Sequence, residues 1–470
     1  MNKFIKVTVF AVTVFSLQSC TSNLKKLNEK EMQVHKEALK MHSLLKEDTA
    51  KKEIAVREFI SSLTIEEKIS QLFLINLEGN KEFIPVEWYK KKVFDLNGNI
   101  KPEKKTLIPS GYIFFGYNIA DNPEQIINFT SSVMEYAYAE NAIPPFLSVD
   151  VEGGFVNRLR NVAGPLPENE RVSQLLLPSQ AYSLYSLYAN QLAVLGFNLN
   201  LAPVIEICSD KNRDFLSGRS YGTENQVIEY ASKNINACKN NNVGTVVKHF
   251  PGNTNIDPHI GLPKLNMTKA EFEQTVRCFS AVLKENPEGI LMSHVIVPDF
   301  DSHPSCLSKF WVTDIVRNKM NYDGIIFSDD IFMAALIDNG YSPKIASRMA
   351  VDAGIDCIMV SEKKFGRWLE ILSEICLNDE SFVKKIEESV FRILKFKMKH
   401  NLILCEYNKE NDSYSVCLSV LKNDSLSVGE KEMRVNAFYD NKNMITDIYN
   451  LHFLSSASDE ERKSFGVDVK

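Results

Sequence analysis

The residues of this chain that could do chemistry sit at the ends of apolar runs. Asp150 closes the run Phe146–Asp150, the pair Lys248-His249 closes Thr245–His249, His294 closes Gly289–His294, and Asp329 closes Gly324–Asp329. A carboxylate at the end of a buried strand is held rigidly enough to serve as a nucleophile. A second arrangement, Asp257-Pro-His259, places a carboxylate two residues before an imidazole. There the Asp can accept from one ring nitrogen and fix the tautomer, leaving the other nitrogen to give and take a proton near neutral pH. A lysine ending an apolar strand also has a blander reading, a head group snorkelling to water. His294 reads equally as a ligand or as a core histidine.

Something must bring these ends together. Short β-branched or aromatic runs alternate with helical stretches along the chain: Leu72–Asn76, Tyr112–Phe115, Phe146–Asp150, Phe197–Pro203, Thr245–His249, Gly289–His294, Gly324–Asp329 and Ile355–Val360. Most are continuously apolar, as parallel strands covered on both faces must be. Eight of them separated by helices predict an α/β fold, a (β/α)8 TIM-type barrel, whose strand ends converge on one face where active sites lie. The barrel is expected over residues 57–400. Thr64-Ile-Glu-Glu67 reads as a capping box opening a helix, and Asn80–Ser110 as a polar insertion forming a loop or small subdomain beside the mouth. Asp330 is expected to cap a helix starting at Ile331. Residues 401–470, rich in Asn, Asp, Ser and Lys, form a short extension with strand-like runs such as Tyr414–Leu421 and no assigned role.

Composition narrows the class. With 44% hydrophobic and 24% charged residues in 470, the chain is neither collagen-like nor wholly disordered. Its 54 basic and 60 acidic residues give a net charge of −6 without a basic block, so no nucleic-acid partner is expected. Lys3 and Lys6 precede an apolar stretch, Val7–Leu17, too short to span a bilayer comfortably. Leu17-Gln18-Ser19-Cys20 resembles a bacterial lipobox, which predicts a signal peptide over residues 1–19, acylation of Cys20 and a lipid-anchored protein of the cell envelope, facing periplasm or surface. The charged stretch 20–56 reads as a helical tether. The other eight cysteines are scattered without C-x-x-C or Cys/His clusters, which argues against a zinc site. Cys405 and Cys417 are the closest pair for a disulfide, and most of the rest read as small buried hydrophobes.

Three separated segments carry a family resemblance. They are Ser148-Val-Asp150-Val-Glu-Gly-Gly-Phe-Val-Asn-Arg158, Val246-Val-Lys-His-Phe-Pro-Gly-Asn-Thr-Asn-Ile-Asp-Pro-His259 and Gly324-Ile-Ile-Phe-Ser-Asp329. With Arg219-Ser-Tyr-Gly222, they resemble glycoside hydrolase family 3, closest to its β-N-acetylglucosaminidase subgroup. The resemblance implies Asp329 as nucleophile, His259 held by Asp257 as general acid/base, and Asp150, Arg158, Arg219, Lys248 and His249 as contacts to the sugar. It implies a carbohydrate substrate with terminal β-linked N-acetylglucosamine, no metal, no organic cofactor and a monomer. This chain departs from the pattern at Asn253, where His-Gly is usual, in a loop two residues shorter, at Pro258 in place of Ser, at Phe155 in place of Arg, and at Glu206 where Asp is commoner. A shorter, proline-stiffened loop is expected to move less and to alter turnover or leaving-group choice. The rivals are a family 3 β-glucosidase or β-xylosidase, an N-acetylglucosaminide phosphorylase and, from another class, a non-catalytic sugar-binding lipoprotein on a hydrolase scaffold.

Overall fold

The computed structural model describes residue 41 and residues 44–458, apart from 86, 95–99, 257–260, 332–333 and 419–426. Two compact units divide after Ile54. In the first, the described residues 44–54 are helical and carry the (i, i+4) ion pairs Lys51–Glu47 and Lys52–Asp48.

The second unit begins at Ala55, and within it Thr64 caps the helix Ile65–Ser70. Its hydroxyl accepts the Glu67 N–H at 3.3 Å, and the Glu67 carboxylate accepts the Thr64 N–H at 2.8 Å. Eight parallel strands follow: β1 Phe73–Asn76, β2 Gly111–Phe114, β3 Phe146–Val149, β4 Leu199–Asn200, β5 Gly244–Phe250, β6 Gly289–Met292, β7 Ile325–Phe327 and β8 Ile358–Val360. They are ordered β7-β6-β5-β4-β3-β2-β1-β8. A bridge between Phe327 and Cys357, with the Ser328 N–H bonded to the Cys357 carbonyl at 2.9 Å, joins the two ends. The sheet is thus the wall of a (β/α)8 barrel. Each expected strand is present, though β4 is cut to two residues; pairing with β5 is interrupted after Asn200 and resumes where the Lys248 N–H meets the Pro203 carbonyl at 3.2 Å and Val204 bridges to Lys248.

Helices return the chain after β2 (Pro123–Ala139), β3 (Pro178–Val194), β4 (Glu224–Asn240), β5 (Lys269–Leu283), β6 (Phe310–Lys319), β7 (Pro343–Ala353) and β8 (Glu380–Lys399). Between β1 and β2 stands instead an antiparallel ribbon, Glu87–Phe94 with Ile100–Thr106, inside the expected insertion. Alternation then sorts the strand residues. Leu74, Ile113, Phe146, Leu199, Val246, Leu291, Ile325 and Phe327 pack inside the barrel, where Phe146 meets Phe327 and Phe396 edge-on at 6.1 and 5.6 Å. Ile393 and Phe396 of the last barrel helix and Leu402 complete that interior cluster.

Beyond the barrel, Leu404–Asn408 and Ser413–Cys417 form a hairpin. Its register sets Cys405 opposite Val416 and Cys417 opposite Leu404, so the two sulfurs leave opposite faces and do not bridge. A 25-residue helix, Val428–His452, follows behind a Ser427/Glu430 capping box and buries Phe438, Ile445 and Tyr449. No helix among the described residues is long and apolar enough to cross a membrane.

Candidate active site

Period-two alternation carries three inward rows past the apolar core to the mouth. Phe146 and Ser148 lead to Asp150, Val246 leads to Lys248, and Ile325 and Phe327 lead to Asp329. Each row ends polar because the barrel core stops there and water or ligand begins.

After β3 the chain folds back on itself. Gly153 and Gly154 take φ of +117° and +56°, and a Cβ at Gly153 would lie 2.3 Å from the Pro167 carbonyl oxygen. The Asn200 side chain clamps the Val151 backbone with two 3.0 Å hydrogen bonds. The Arg158 N–H donates to the Asp150 carbonyl at 3.0 Å, which brings the Arg158 guanidinium to 3.6 Å from the Asp150 carboxylate.

Lys248 Nζ lies 2.8 Å from Asp150 Oδ1 and 2.7 Å from Glu152 Oε1. The lysine is buried and doubly paired, so it does not snorkel. Burial opposes its charge, but Asp150 and Glu152 prevail and raise its pKa. Arg219 grips the same Glu152 through a fork, Nε at 2.7 Å and Nη2 at 2.9 Å. Glu152 is 1% exposed. Burial alone would push its pKa up, yet Lys248 and Arg219 hold it far below the usual carboxylate range. Arg158, Arg219 and Asp150 of this lattice keep part of their side chains exposed, whereas Glu152 and Lys248 are buried beneath them.

His249 is oriented from the other side. Its Nδ1 lies 2.6 Å from Glu206 Oε1 and its Nε2 3.5 Å from Arg219 Nη2. Arginine can only donate, so Nδ1 carries the proton given to Glu206. Asn253 completes the anchor: its N–H and Nδ2 donate to Glu206 at 2.6 and 2.8 Å. Two of the departures from the family pattern, Glu206 and Asn253, thus contact each other.

Asp329 lies across the mouth from this lattice. Oδ1 accepts the Asp330 N–H at 2.9 Å, and Oδ2 is 4.0 Å from His294 Nε2. Burial favours its neutral form. The imidazoles of His294 and His249, the Asp330 N–H and Lys248 outweigh burial and hold the carboxyl below the ordinary aspartate range. Neighbouring Asp330 points the other way, bonding the Ser361 N–H at 3.1 Å and the Ser361 hydroxyl at the end of β8.

Asp150, Arg158, Arg219, Lys248, His249 and Asp329 therefore share one mouth, while Asp257, His259 and Cys20 lie outside the described residues. Glu152 was legible but unread: two residues after Asp150, it falls on the same side of the chain. Glu206 registered only as a departure. No group of three or more His, Cys, Asp and Glu able to hold a metal occurs among the described residues.

Fold and mouth define a (β/α)8 barrel protein with an ionised carboxylate set against a hydrogen-bonding wall of paired charges. The chain belongs to glycosyl hydrolase family 3, whose N-terminal domain model matches residues 64–396. It is 26% identical over 379 residues to beta-hexosaminidase A of Pseudoalteromonas piscicida, an alignment covering 73% of this chain and 62% of that protein. It is 31% identical over 263 residues to a beta-hexosaminidase of Methylococcus capsulatus, covering 53% and 75%. Among solved structures, a family 3 beta-N-acetylglucosaminidase from Paenibacillus sp. superposes with a TM-score of 0.62 at 24% identity, over 81% of this chain and 69% of that one. A beta-N-acetylhexosaminidase from Beutenbergia cavernae gives 0.60 at 21%, over 72% and 99%. At those identities the superpositions speak for the fold.

Proposed function

We propose that this protein is a retaining exo-β-N-acetylglucosaminidase that removes terminal β-linked N-acetylglucosamine from peptidoglycan fragments or chito-oligosaccharides. The observation that carries the reading is Asp329, ionised and inward at the end of β7, facing a wall of paired charges suited to sugar hydroxyls. The beta-hexosaminidase names of its relatives favour this substrate class. Asp329 attacks the anomeric carbon as the glycosidic C–O bond breaks, and His259, oriented by Asp257, gives its proton to the leaving oxygen. The neutralised imidazole then takes a proton from water, which cleaves the glycosyl ester and frees Asp329. Side chains carry both steps, so the reading includes no metal and no organic cofactor. Acylation at Cys20 would hold the enzyme on a membrane of the cell envelope.

An aryl β-N-acetylglucosaminide and the matching β-glucoside test the reading on the purified protein. Release from the first is expected, with a β anomer as first product. Asp329→Asn is expected to lose about 10³-fold or more in kcat. Binding of N-acetylglucosamine without release from either substrate would favour the sugar-binding alternative.

A further inference from the structure

Outside the sugar-facing lattice, one buried pair has no part in the mechanism above. His294 is 1% exposed and Cys306 fully buried. Cys306 sits in the turn Ser305–Leu307, which is tied to the end of β6 by three hydrogen bonds. The Cys306 N–H donates to the Ser293 carbonyl at 3.1 Å, and the Ser305 N–H and hydroxyl donate to the Val295 carbonyl at 2.9 and 2.6 Å. This clamp sets the Cys306 sulfur 3.3 Å from His294 Nδ1. The opposite ring atom, Nε2, has no hydrogen-bond partner among the described residues and faces Asp329 Oδ2 at 4.0 Å. A buried, unsatisfied ring nitrogen costs free energy unless it is met at some stage of function.

We infer that Cys306 and His294 are positioning residues for Asp329: the thiol donates to Nδ1, which fixes the neutral tautomer with its proton on Nε2, aimed at Asp329 Oδ2. Burial, and then the Asp329 charge, push the Cys306 thiol well up, so it keeps the proton it donates. The other neutral tautomer would turn a lone pair towards a carboxylate, and the two would repel. With the Asp330 N–H on Oδ1 and the His294 N–H addressing Oδ2, both oxygens have a donor and the carboxylate plane is set. Each oxygen keeps a lone pair for attack. The 4.0 Å gap exceeds a hydrogen bond, and such contacts commonly close only in the substrate complex. No proton is transferred.

The groups around the pair are Asp329 from β7, Lys248 and His249 from β5 beyond it, and Tyr341, which couples electrostatically to Cys306 from the segment before the helix Pro343–Ala353. The inference rests on Asp329 being the nucleophile, but its first test does not. Ring 15N resonances of His294, assigned by comparison with His294→Gln, are expected to show an accepting Nδ1 and a protonated Nε2 between pH 7 and 8. A proton on Nδ1, in the other neutral tautomer or in an imidazolium, overturns the inference whether or not the protein hydrolyses anything. The second test uses whichever aryl β-glycoside the wild type cleaves. Cys306→Val, which cannot donate, is expected to lose about tenfold or more in kcat at pH 8 with KM little changed, as wrong-tautomer variants do. Its activity should recover as pH falls and the imidazole takes a second proton. Cys306→Ser, which donates as the thiol does, should stay within about threefold of wild type without the new alkaline loss. A Cys306→Val enzyme with the wild-type pH profile overturns the inference.

Discussion

Lys248 is shared by two carboxylates whose side chains leave the chain on the same side, and Arg219 closes the lattice on Glu152. Four charges in so dry a place are tolerable only while each has its counter-charge. Removing one partner of a buried set costs about 3–5 kcal/mol, because the others keep their desolvation without compensation. Glu152→Gln, close in shape but uncharged, is therefore expected to lower the unfolding free energy by that order, seen as a lower urea midpoint. An unchanged midpoint would show that Asp150 alone satisfies Lys248. The titration of Glu152 runs the same way. Its folded pKa lies below the unfolded value of 4.5, so its contribution is complete above that pH and is lost as pH falls beneath it. Asp329, the proposed nucleophile, is also depressed and is expected to stay ionised in the mildly acid range. The acid limb of kcat/KM attributable to Asp329 is expected below the ordinary aspartate value of 3.8. A limb at pH 5 that moved in Asp329 variants of residual activity would contradict this.

At the scale of elements, the strands were readable because most are continuous apolar runs, and the polar residues that close several of them marked the mouth. β4 was the exception in length: Asn200 faces Thr245 but Val204 bridges to Lys248, so the apolar run Phe197–Pro203 has one residue too many for a continuous ladder and only Leu199–Asn200 pairs regularly. The Val428–His452 helix gave no such signal. It buries Phe438, Ile445 and Tyr449 in a setting of Asn, Asp and Lys, and so narrow an apolar stripe resembles a solvated tail. Nor could spacing show Glu206 or Cys306, whose partners are more than ten residues away in sequence. At the other end of the barrel, Glu288, just before β6, accepts the Thr245 N–H of β5 at 2.8 Å and meets Lys399 and His400 at 2.6 and 3.4 Å. Burial would raise its pKa, but these neighbours bring it down to about 2. The stability this contributes is present above the unfolded value of 4.5 and lost as pH falls towards 2. It amounts to on the order of 3 kcal/mol, from 1.36 kcal/mol per pKa unit. Glu288→Gln is expected to destabilise the protein at pH 7 and to flatten its acid unfolding between about pH 4.5 and 2. A mutant curve parallel to wild type over that range would refute the assignment.

Across the whole molecule, the C-terminal helix connects to the site through the loop after β3. Its backbone and side chains engage the barrel helix Pro178–Val194: Phe438 O accepts from Gln191 at 3.2 Å, and Asn441 donates to Asn190 at 2.7 Å. Lys442 then donates to the Val162 carbonyl at 2.9 Å, and Ile445 occupies the space a side chain would need at Gly164, where a Cβ would lie 2.7 Å away. Past the helix, Arg171 bonds the Phe453 carbonyl and the Ser456 hydroxyl at 2.9 and 2.8 Å. Val162, Gly164 and Arg171 belong to the segment that follows Arg158, so the extension braces the one stretch of chain that presents both Asp150 and Arg158 to the mouth. Truncating the buried Ile445 to Ala should cost about 2–5 kcal/mol in stability, as core Ile→Ala changes do. Ending the chain at residue 426 removes the whole brace. It leaves Lys248, Arg219 and Asp329 on their own strands and loops. The expected kinetic result is accordingly selective: KM for the aryl glycoside rises several-fold while kcat, which the proposed mechanism assigns to Asp329 and its partners, falls less. Equal losses in both would mean that the brace supports the barrel as a whole rather than the sugar-facing loop.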